Sequence, residues 1–209
     1  DAPGSVRYVE NLIEPAYPEG ANHHAYLLEF ELQNRYPNEL TGFVTDRLQR
    51  IVTKTPEYLT YEQGMYIADF WQEFEDAVYS KDGYNAVTGK YYYDYCDLDS
   101  LVKCYVLNEY VKNSDYYESS TYFYLPEDSD QLICGPLWDY DIAFGIGYDV
   151  NRESLITKPE YFYCGDKPFA RALLQIPSFR AKVQELTAPG GEVYEAIQSL
   201  TGESGAVRI

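Results

Sequence analysis

CGPLWDYDIAFG, residues 134–145, is the stretch that indicates how this chain folds. Two short segments rich in strand-forming residues lead into it, 121–125 and 131–134, and residues with turn preferences separate them over 126–130. This pattern predicts an antiparallel β-hairpin. Because the two strands of a hairpin run in opposite directions, the chain that leaves the hairpin returns to the place where it entered.

Three aspartates flank this hairpin at similar distances. Asp115 lies thirteen residues before the centre of the turn at Asp128, whereas Asp139 and Asp141 lie eleven and thirteen residues after it. We therefore expect the hairpin to bring Asp115 towards Asp139 and Asp141. Carboxylates that share a site repel one another, and a bound divalent cation or a raised pKa on one of them relieves the repulsion.

Such carboxylates fit the chemistry of phosphoryl transfer, in which one Asp orients the attacking hydroxyl and accepts its proton while another holds Mg²⁺ against the phosphates. Asp115 and Ser120 have the spacing of a kinase catalytic loop, whose second residue is normally a metal-binding Asn. A structural interpretation stays open. In it, Asp115 caps a turn, and Asp139 and Asp141 accept hydrogen bonds from backbone N–H groups of an irregular loop.

The remainder of the chain predicts a single α+β domain over residues 1–209, without internal repeats or a dividing linker. A capping box at Thr60 and Gln63 begins the strongest helix, and apolar residues follow at helical spacing. Residues 84–94 are interpreted as a tyrosine-rich loop. The other expected elements are strands at 25–32 and 42–52, and helices that begin at Asp97 or Asp99, at Pro168, at Pro177 and at Glu192.

The charge of the chain limits its partners. Sixteen Lys and Arg residues against 34 Asp and Glu residues give a net charge of −18. Such a protein repels nucleic acids and anionic lipids, so neither nucleic acid nor a membrane is expected as a partner. No apolar run approaches the ~20 residues that span a bilayer. The charge leaves four classes of possible partner: basic proteins, divalent cations, neutral glycans and a nucleotide bridged by a metal ion. Acidity of this size also serves solubility.

The four cysteines have no zinc-binding spacing and do not require disulfides in a chain with this much apolar material. Free, partly buried thiols are therefore expected, although the even count also allows two disulfides. The chain opens with Asp1 and has no initiator Met, so we expect it to be a piece of a longer protein.

The sequence also resembles a known family. LNEYVKNSD (107–115), STYFY (120–124) and GPLWDYDIAFG (135–145) are similar to the spore-coat protein H (CotH) family, whose pattern reads roughly L-x-N-E-x-x-x-N-x-D, S-T-Y-x-Y and G-P-x-W-D-x-D-x-A-x-G. Weaker likenesses extend over residues 25–190.

The resemblance implies an atypical protein-kinase-like core: mainly the helical lobe, with a central β-hairpin that carries the site and an incomplete N-terminal lobe. We expect part of the C-terminal end to be missing too. The implied activity transfers the γ-phosphate of ATP, with Mg²⁺ or Mn²⁺, to Ser residues of basic, Ser-rich proteins of a bacterial spore coat or cell surface.

Carried over by position, Asp115 is the catalytic-loop Asp and Asn113 orients its loop. Asp139 is the principal metal ligand, with Asp141 beside it. The resemblance assigns Ser120 and Trp138 to nucleotide and cofactor binding, although a hydroxyl at position 120 is a weaker metal ligand than an amide oxygen.

Two departures from a kinase, the missing phosphate-binding features and the hydroxyl of Ser120 at the second metal position, keep an inactive, kinase-like domain open. No Gly-rich phosphate loop precedes a strand, and Lys54 is a candidate for the phosphate-pairing lysine without spatial support.

The chain holds 24 tyrosines, and those at 91–93 and 116–117 are expected to be too many to bury together. Exposed aromatic rings beside carboxylates bind sugars, so a surface or scaffold module for glycans or proteins is the alternative function.

Overall fold

The computed structural model describes residues 24–146, 158 and 160–201, and a five-stranded antiparallel sheet lies at its centre. The sheet order is β2-β3-β1-β6-β7, and β4 and β5 form a separate hairpin. The strands are β1 (Tyr26–Glu31), β2 (Gly42–Val44), β3 (Arg50–Thr55), β4 (Tyr84–Asn85), β5 (Lys90–Tyr91), β6 (Tyr122–Leu125) and β7 (Ile133–Cys134). The helices are α1 (Tyr61–Val78), α2 (Tyr92–Tyr95), α3 (Leu98–Val111), α4 (Pro168–Gln175), α5 (Pro177–Thr187) and α6 (Glu192–Thr201).

Strand β1 lies in the middle of the sheet and separates two different faces. It pairs with β3 on one side and with β6 on the other. Successive side chains of a strand point to opposite faces, so Tyr26, Leu28 and Phe30 enter the core together. Leu27 and Glu29 belong to the opposite face, which carries the polar groups described below.

An aromatic cluster fixes helix α1 against the core face of the sheet. The Trp71 ring packs edge-on against Phe123 of β6, with ring centroids 5.0 Å apart, and against Phe30 of β1 at 5.6 Å. Phe169 of α4 joins the same cluster from the C-terminal part of the chain. Trp71 is fully buried, so this cluster connects both strands that position the site to two helices.

Most of the predicted elements are confirmed. Thr60 Oγ1 accepts from the Gln63 backbone N–H at 3.2 Å, and Gln63 Oε1 accepts from the Thr60 N–H at 3.0 Å, which is the predicted capping box. Asp97, rather than Asp99, caps α3, since its Oδ1 accepts from the Ser100 N–H at 2.7 Å. The predicted hairpin forms from β6 and β7.

Two predictions about local structure were wrong. The strand expected over 42–52 is two strands, β2 and β3, because the Thr45 carbonyl and hydroxyl bind backbone N–H groups at Leu48 and Gln49 and close a turn. The loop expected over 84–94 contains the β4–β5 hairpin and the start of α2.

The tyrosine prediction was wrong at residues 116–117. Tyr116 and Tyr117 are both buried, with ring centroids 3.9 Å apart. Phe169 packs against Tyr117 at 4.8 Å and supplies the apolar neighbour that makes this burial possible. Tyr92 is buried as well, whereas Tyr91 is exposed. Tyr116 and Tyr117 therefore offer no surface for a glycan, whereas other tyrosines, such as Tyr61 and Tyr110, are exposed.

All four cysteines are free and buried, as the composition predicted. None of the helices within residues 24–146 and 160–201 combines the length and apolar content that crossing a bilayer requires.

Candidate functional site

The loop over residues 112–121 follows α3 and carries Asp115. Lys112 ends the helix in a left-handed conformation, and Asn113 is then held by Asn108 through two hydrogen bonds of 3.0 Å, one to its backbone N–H and one to its side-chain amide. Asn113 Oδ1 accepts from the Asp115 N–H at 3.2 Å. Asn113 is buried, so it links the helix to the position of Asp115.

A lysine from a distant part of the chain fastens the same loop. Lys167 Nζ donates to the Ser114 carbonyl at 3.0 Å and pairs with Glu118 at 2.5 Å. Lys167 is itself buried. Within the loop, the Asp115 carbonyl accepts from the backbone N–H groups of Glu118 and Ser119. Sequence reasoning missed Lys167, for which the only signal is its place directly before the helix that begins at Pro168.

The Asp115 carboxylate is half-buried and lies within the electrostatic reach of Asp139. Burial raises the pKa of Asp115 above its ordinary value, the positive charge of Arg35 opposes this, and the negative charges of Asp139 and Glu118 add to it. A hydrogen bond from Ser119 also opposes the rise. Asp139, one of the two aspartates towards which the hairpin argument directed Asp115, thus acts electrostatically on it.

Ser120 and Asp139 join the loop to the exit of the hairpin. Ser120 Oγ donates to Asp139 Oδ2 at 3.1 Å. Both residues have left-handed backbones, with φ of 51° and 59°, a conformation that costs energy for residues other than glycine. Asp139 is exposed, so its carboxylate has room for further ligands.

The third predicted carboxylate is arranged differently. Asp141 is exposed and lies two residues beyond Asp139. Within residues 24–146 and 160–201, no group of three or more His, Cys, Asp or Glu side chains is placed to hold a metal ion. The three aspartates therefore do not form a metal-holding group in this structure, and Asp139 is the one of the other two whose charge acts on Asp115. The Trp138 ring is also exposed.

Lys54 lies on the polar face of the sheet between two glutamates. Its Nζ is 3.0 Å from Glu29 Oε2 and 2.8 Å from Glu39 Oε2. The pairing of β1 with β3 shifts register here, since Leu27 opposes Thr55 while the next residue of β1 opposes Thr53. Lys54 is the extra residue of this bulge, and bulges redirect side chains.

Tyr122 connects this lysine to the aspartate pair. Burial raises the pKa of the Tyr122 hydroxyl, and so do the charge of Glu29, to which it is hydrogen-bonded, and the nearby charge of Asp139. A polar path therefore runs from Lys54 through Glu29 and Tyr122 to Asp139. The sequence placed Glu29 on a strand face, but Tyr122 carried no signal beyond its strand-forming composition.

An apolar cleft of about 580 Å³ opens beside this polar path. Leu27 shares the face of Glu29 on β1, and Tyr124 shares the face of Tyr122 on β6, so the cleft and the path lie on the same side of the sheet. We call it the sheet-face cleft; it is lined by Leu27, Thr55, Tyr124, Ile133, Pro136 and Leu137.

The polar residues around the hairpin exit and Lys54 can accommodate a hard divalent cation and a phosphate. Carboxylate and hydroxyl oxygens suit Mg²⁺, and Asp139, Asp141 and Ser120 provide them at the exit of the hairpin. Lys54 supplies a cation on the same face in a chain of strong negative charge. The chemistry of the side chains therefore fits a metal–phosphate ligand.

Comparison with known proteins identifies one relationship. A family model described as CotH kinase protein matches residues 9–188, which include the 112–121 loop, the hairpin and Lys167. The match indicates a kinase-like function. No curated protein and no solved structure matches the chain.

Proposed function

Because this chain belongs to the CotH kinase family, we propose that it transfers the γ-phosphoryl group of ATP, with Mg²⁺ or Mn²⁺, to the hydroxyl of Ser residues in basic proteins. The observation that carries the proposal is the meeting of Asp115 and Asp139 across Ser120. In the reaction, the bond between the γ-phosphorus and its bridging oxygen breaks, a bond from the serine Oγ to phosphorus forms, and the serine proton leaves.

Asp115 is the group that receives this proton. Its carboxylate is half-buried and has a raised pKa, and a carboxylate accepts a proton more readily when its pKa is closer to the working pH. Asn113 and Lys167 are positioning residues, since they hold the loop through the Asp115 backbone N–H and the Ser114 carbonyl. A loop fixed from both sides keeps the carboxylate in place for an incoming hydroxyl.

Asp139 holds the metal ion, with Asp141 and the Ser120 hydroxyl as further oxygen donors. Magnesium sites for nucleotides use one or two protein carboxylates and complete the coordination with phosphate oxygens and water. Two aspartates without a third converging acid therefore agree with such a site. A cation held by Asp139 and Asp141 would offset the negative charge of the phosphates.

Lys54 and the sheet-face cleft bind the nucleotide. Lys54 donates to phosphate oxygens from the middle of the polar path, and Glu29 and Glu39 orient its ammonium group. The apolar cleft beside it takes the base, and the exposed Trp138 ring lies close in sequence to its Pro136 and Leu137 wall. This arrangement of a cation, an apolar cleft and an acidic pair forms the kinase-like part of the proposal.

The acceptor is a positively charged protein. The chain carries 34 acidic residues against 16 basic ones, which attracts a Lys- and Arg-rich partner and speeds its association. A place in a spore coat or on a bacterial cell surface follows from the family and belongs to the same proposal.

Transfer of labelled γ-phosphate to a Ser-containing basic peptide tests this function. We expect Asp115→Asn to reduce transfer by at least roughly a hundredfold, while Asp130→Asn, at an exposed turn residue of the hairpin, leaves it unchanged. Equal transfer by both variants would remove Asp115 from the reaction.

A kinase-like scaffold without activity is the second candidate. The observation that favours it is Ser120, whose hydroxyl replaces the metal-binding amide of an ordinary catalytic loop and is already bonded to Asp139. Binding of Mg²⁺ and ATP without any transfer by the native chain would select this candidate.

A further inference from the structure

A second large cavity adjoins the sheet-face cleft and lies between helices α3 and α6. It has a volume of about 660 Å³, a size typical of ligand-binding sites. One wall is α3 and the other is α6, and Leu137 and Phe144 close one end. We call it the α3–α6 groove; its apolar lining includes Val106, Leu107, Tyr110, Val193, Ile197 and Leu200.

Helix α6 presents an apolar stripe that the described residues cover only in part, since Val193 packs against the core but is not buried. Val193, Ile197 and Leu200 are spaced four and three residues apart, which places them on one face of the helix. No residue of α6 is buried, and Leu200 is 49% exposed. On the opposite side of the groove, Tyr110 is 55% exposed. Contiguous exposed apolar surface of this kind marks a binding site for another molecule.

The groove adjoins the candidate metal ligands. Leu137 precedes Asp139 by two residues, and Phe144 follows Asp141 by three, and both apolar side chains line the groove. Leu137 also lines the sheet-face cleft, so the two cavities share a wall. A chain bound in the α3–α6 groove therefore contacts both ends of the segment that carries Asp139 and Asp141.

The surroundings of the groove are acidic. Lys103 and Glu192 at its rim pair with each other at 2.9 Å. Beyond them, a single lysine, Lys182, pairs with both Asp99 and Glu185. Further exposed acids lie on α6 and at the hairpin exit, namely Glu195, Asp139 and Asp141. These described residues comprise six acids and two bases, and Lys103 and Glu192 are the charged pair that lines the groove itself.

We propose that the α3–α6 groove binds an amphipathic, positively charged segment of the protein that accepts the phosphoryl group; this inference rests on the proposed kinase function. Apolar anchors of the segment occupy the groove, and its Lys and Arg side chains reach the acidic rim. A second copy of a chain with a net charge of −18 is repelled from the same surface. A purely apolar ligand leaves the acidic rim unused.

Binding can be measured without any transfer of phosphate. The probe is a fluorescent synthetic peptide. It has Leu at positions i, i+3 and i+7, one Ser, and Lys at several of the remaining positions. We expect Ile197→Ser and Tyr110→Ser each to weaken its binding by roughly tenfold, since each removes an apolar contact. Val87→Ser, which changes an exposed residue of the β4–β5 turn, is the matched control and leaves binding unchanged.

Steady-state kinetics then test whether the groove binds the acceptor during phosphoryl transfer. With the same peptide as acceptor, the groove variants raise KM for the peptide and leave kcat and the KM for ATP unchanged, because they touch no reacting group. A peptide with Glu in place of Lys binds weakly to the native chain, and added salt weakens the binding of the Lys peptide.

The outcomes separate the two proposals. Equal binding by the groove variants and Val87→Ser overturns the groove, as does equal binding of the Lys and Glu peptides. Peptide binding that depends on the groove in a chain that transfers no phosphate supports the groove and contradicts the kinase function. Concentration-dependent dimerisation of the native chain that Ile197→Ser abolishes would assign the groove to a second copy instead.

Discussion

Ser120 Oγ donates a 3.1 Å hydrogen bond to Oδ2 of Asp139, and this bond joins two segments that lie on either side of a β-hairpin. Asp115 belongs to the same loop as Ser120, so the bond connects the segments that carry the proposed proton acceptor, Asp115, and the proposed metal ligand, Asp139. The relationship has the consequence that a metal ion bound at Asp139 also orders the loop of Asp115.

Nucleotide with Mg²⁺ should therefore stabilise the protein. At a ligand concentration about a hundredfold above Kd, a site that forms only in the folded state adds ~2.7 kcal/mol, which corresponds to a rise of roughly 5–10 °C in Tm for a chain of this size. We expect Asp139→Asn to abolish the rise and Asp130→Asn to retain it. Differential scanning fluorimetry measures both, and an equal rise in the Asp139 variant would place the metal elsewhere.

Asp115→Asn should increase the free energy of unfolding at neutral pH. Burial raises the pKa of Asp115, so the folded state disfavours the ionised carboxylate that is present at pH 7. A raised pKa contributes stability at low pH that is lost as the pH rises through the folded-state value. The advantage of the variant should therefore shrink on acidification, as urea unfolding at several pH values will show. A variant less stable than the native chain at pH 7 would contradict this.

Arg35→Gln should move the acidic limb of the pH–rate profile to higher pH. The charge of Arg35 lowers the pKa of Asp115, so its removal leaves the carboxylate protonated up to a higher pH. Arg35 is exposed, and added salt should reduce the difference from the native chain. Arg171→Gln, which changes an exposed arginine of α4, serves as the control, and a limb that moves equally in both variants would argue against a specific effect.

Lys54→Met should raise the KM for ATP by roughly tenfold or more, because a phosphate would lose its cation. The variant leaves the buried Glu29 without its ion-pair partner, so its folding must be measured as well. Lys54→Met combined with Glu29→Gln removes that unpaired charge and keeps the loss of nucleotide binding. Lys90→Met, on the β4–β5 hairpin, is the matched control. An unchanged KM in the double variant would exclude Lys54 from the nucleotide site.

Substitution of the two tryptophans should change the free energy of unfolding by very different amounts. Trp71 is fully buried among four aromatic side chains or more, whereas Trp138 is 64% exposed. Trp71→Ala should lower the free energy of unfolding by ~3–5 kcal/mol, and Trp138→Ala should change it by no more than about 0.5 kcal/mol. Urea denaturation distinguishes them. Reduced nucleotide affinity in the well-folded Trp138 variant would support its assignment to cofactor binding.

The hairpin and the approach of Asp115 to Asp139 could be predicted because they follow from strand composition and the antiparallel return of the chain. The placement of Lys54 could not, because it depends on a bulge in the pairing of two strands that are distant in sequence. Asp141 was expected to join the pair, but equal distance along the sequence does not give equal position once the chain has left the strand.

The burial of Tyr116 and Tyr117 was equally beyond local reasoning. Two adjacent tyrosines after a helix indicate nothing about their neighbours, and the ring that covers Tyr117 comes from Phe169. The family pattern supplied Asn113 as an orienting residue, and the structure shows its hydrogen bonds with Asn108 and with the Asp115 N–H. Lys167 carried no pattern at all, since its partners lie about fifty residues earlier.

The contact between Lys167 and the Ser114 carbonyl also sets an order of events during folding. The two residues are 53 positions apart, and contacts over such separations form after local ones because they close a large loop. The hairpin and α3 can form from neighbouring residues, but the loop of Asp115 gains its second anchor only when the start of α4 arrives. The loop of Asp115 is therefore completed late in folding, together with the packing of Phe169 against Tyr117.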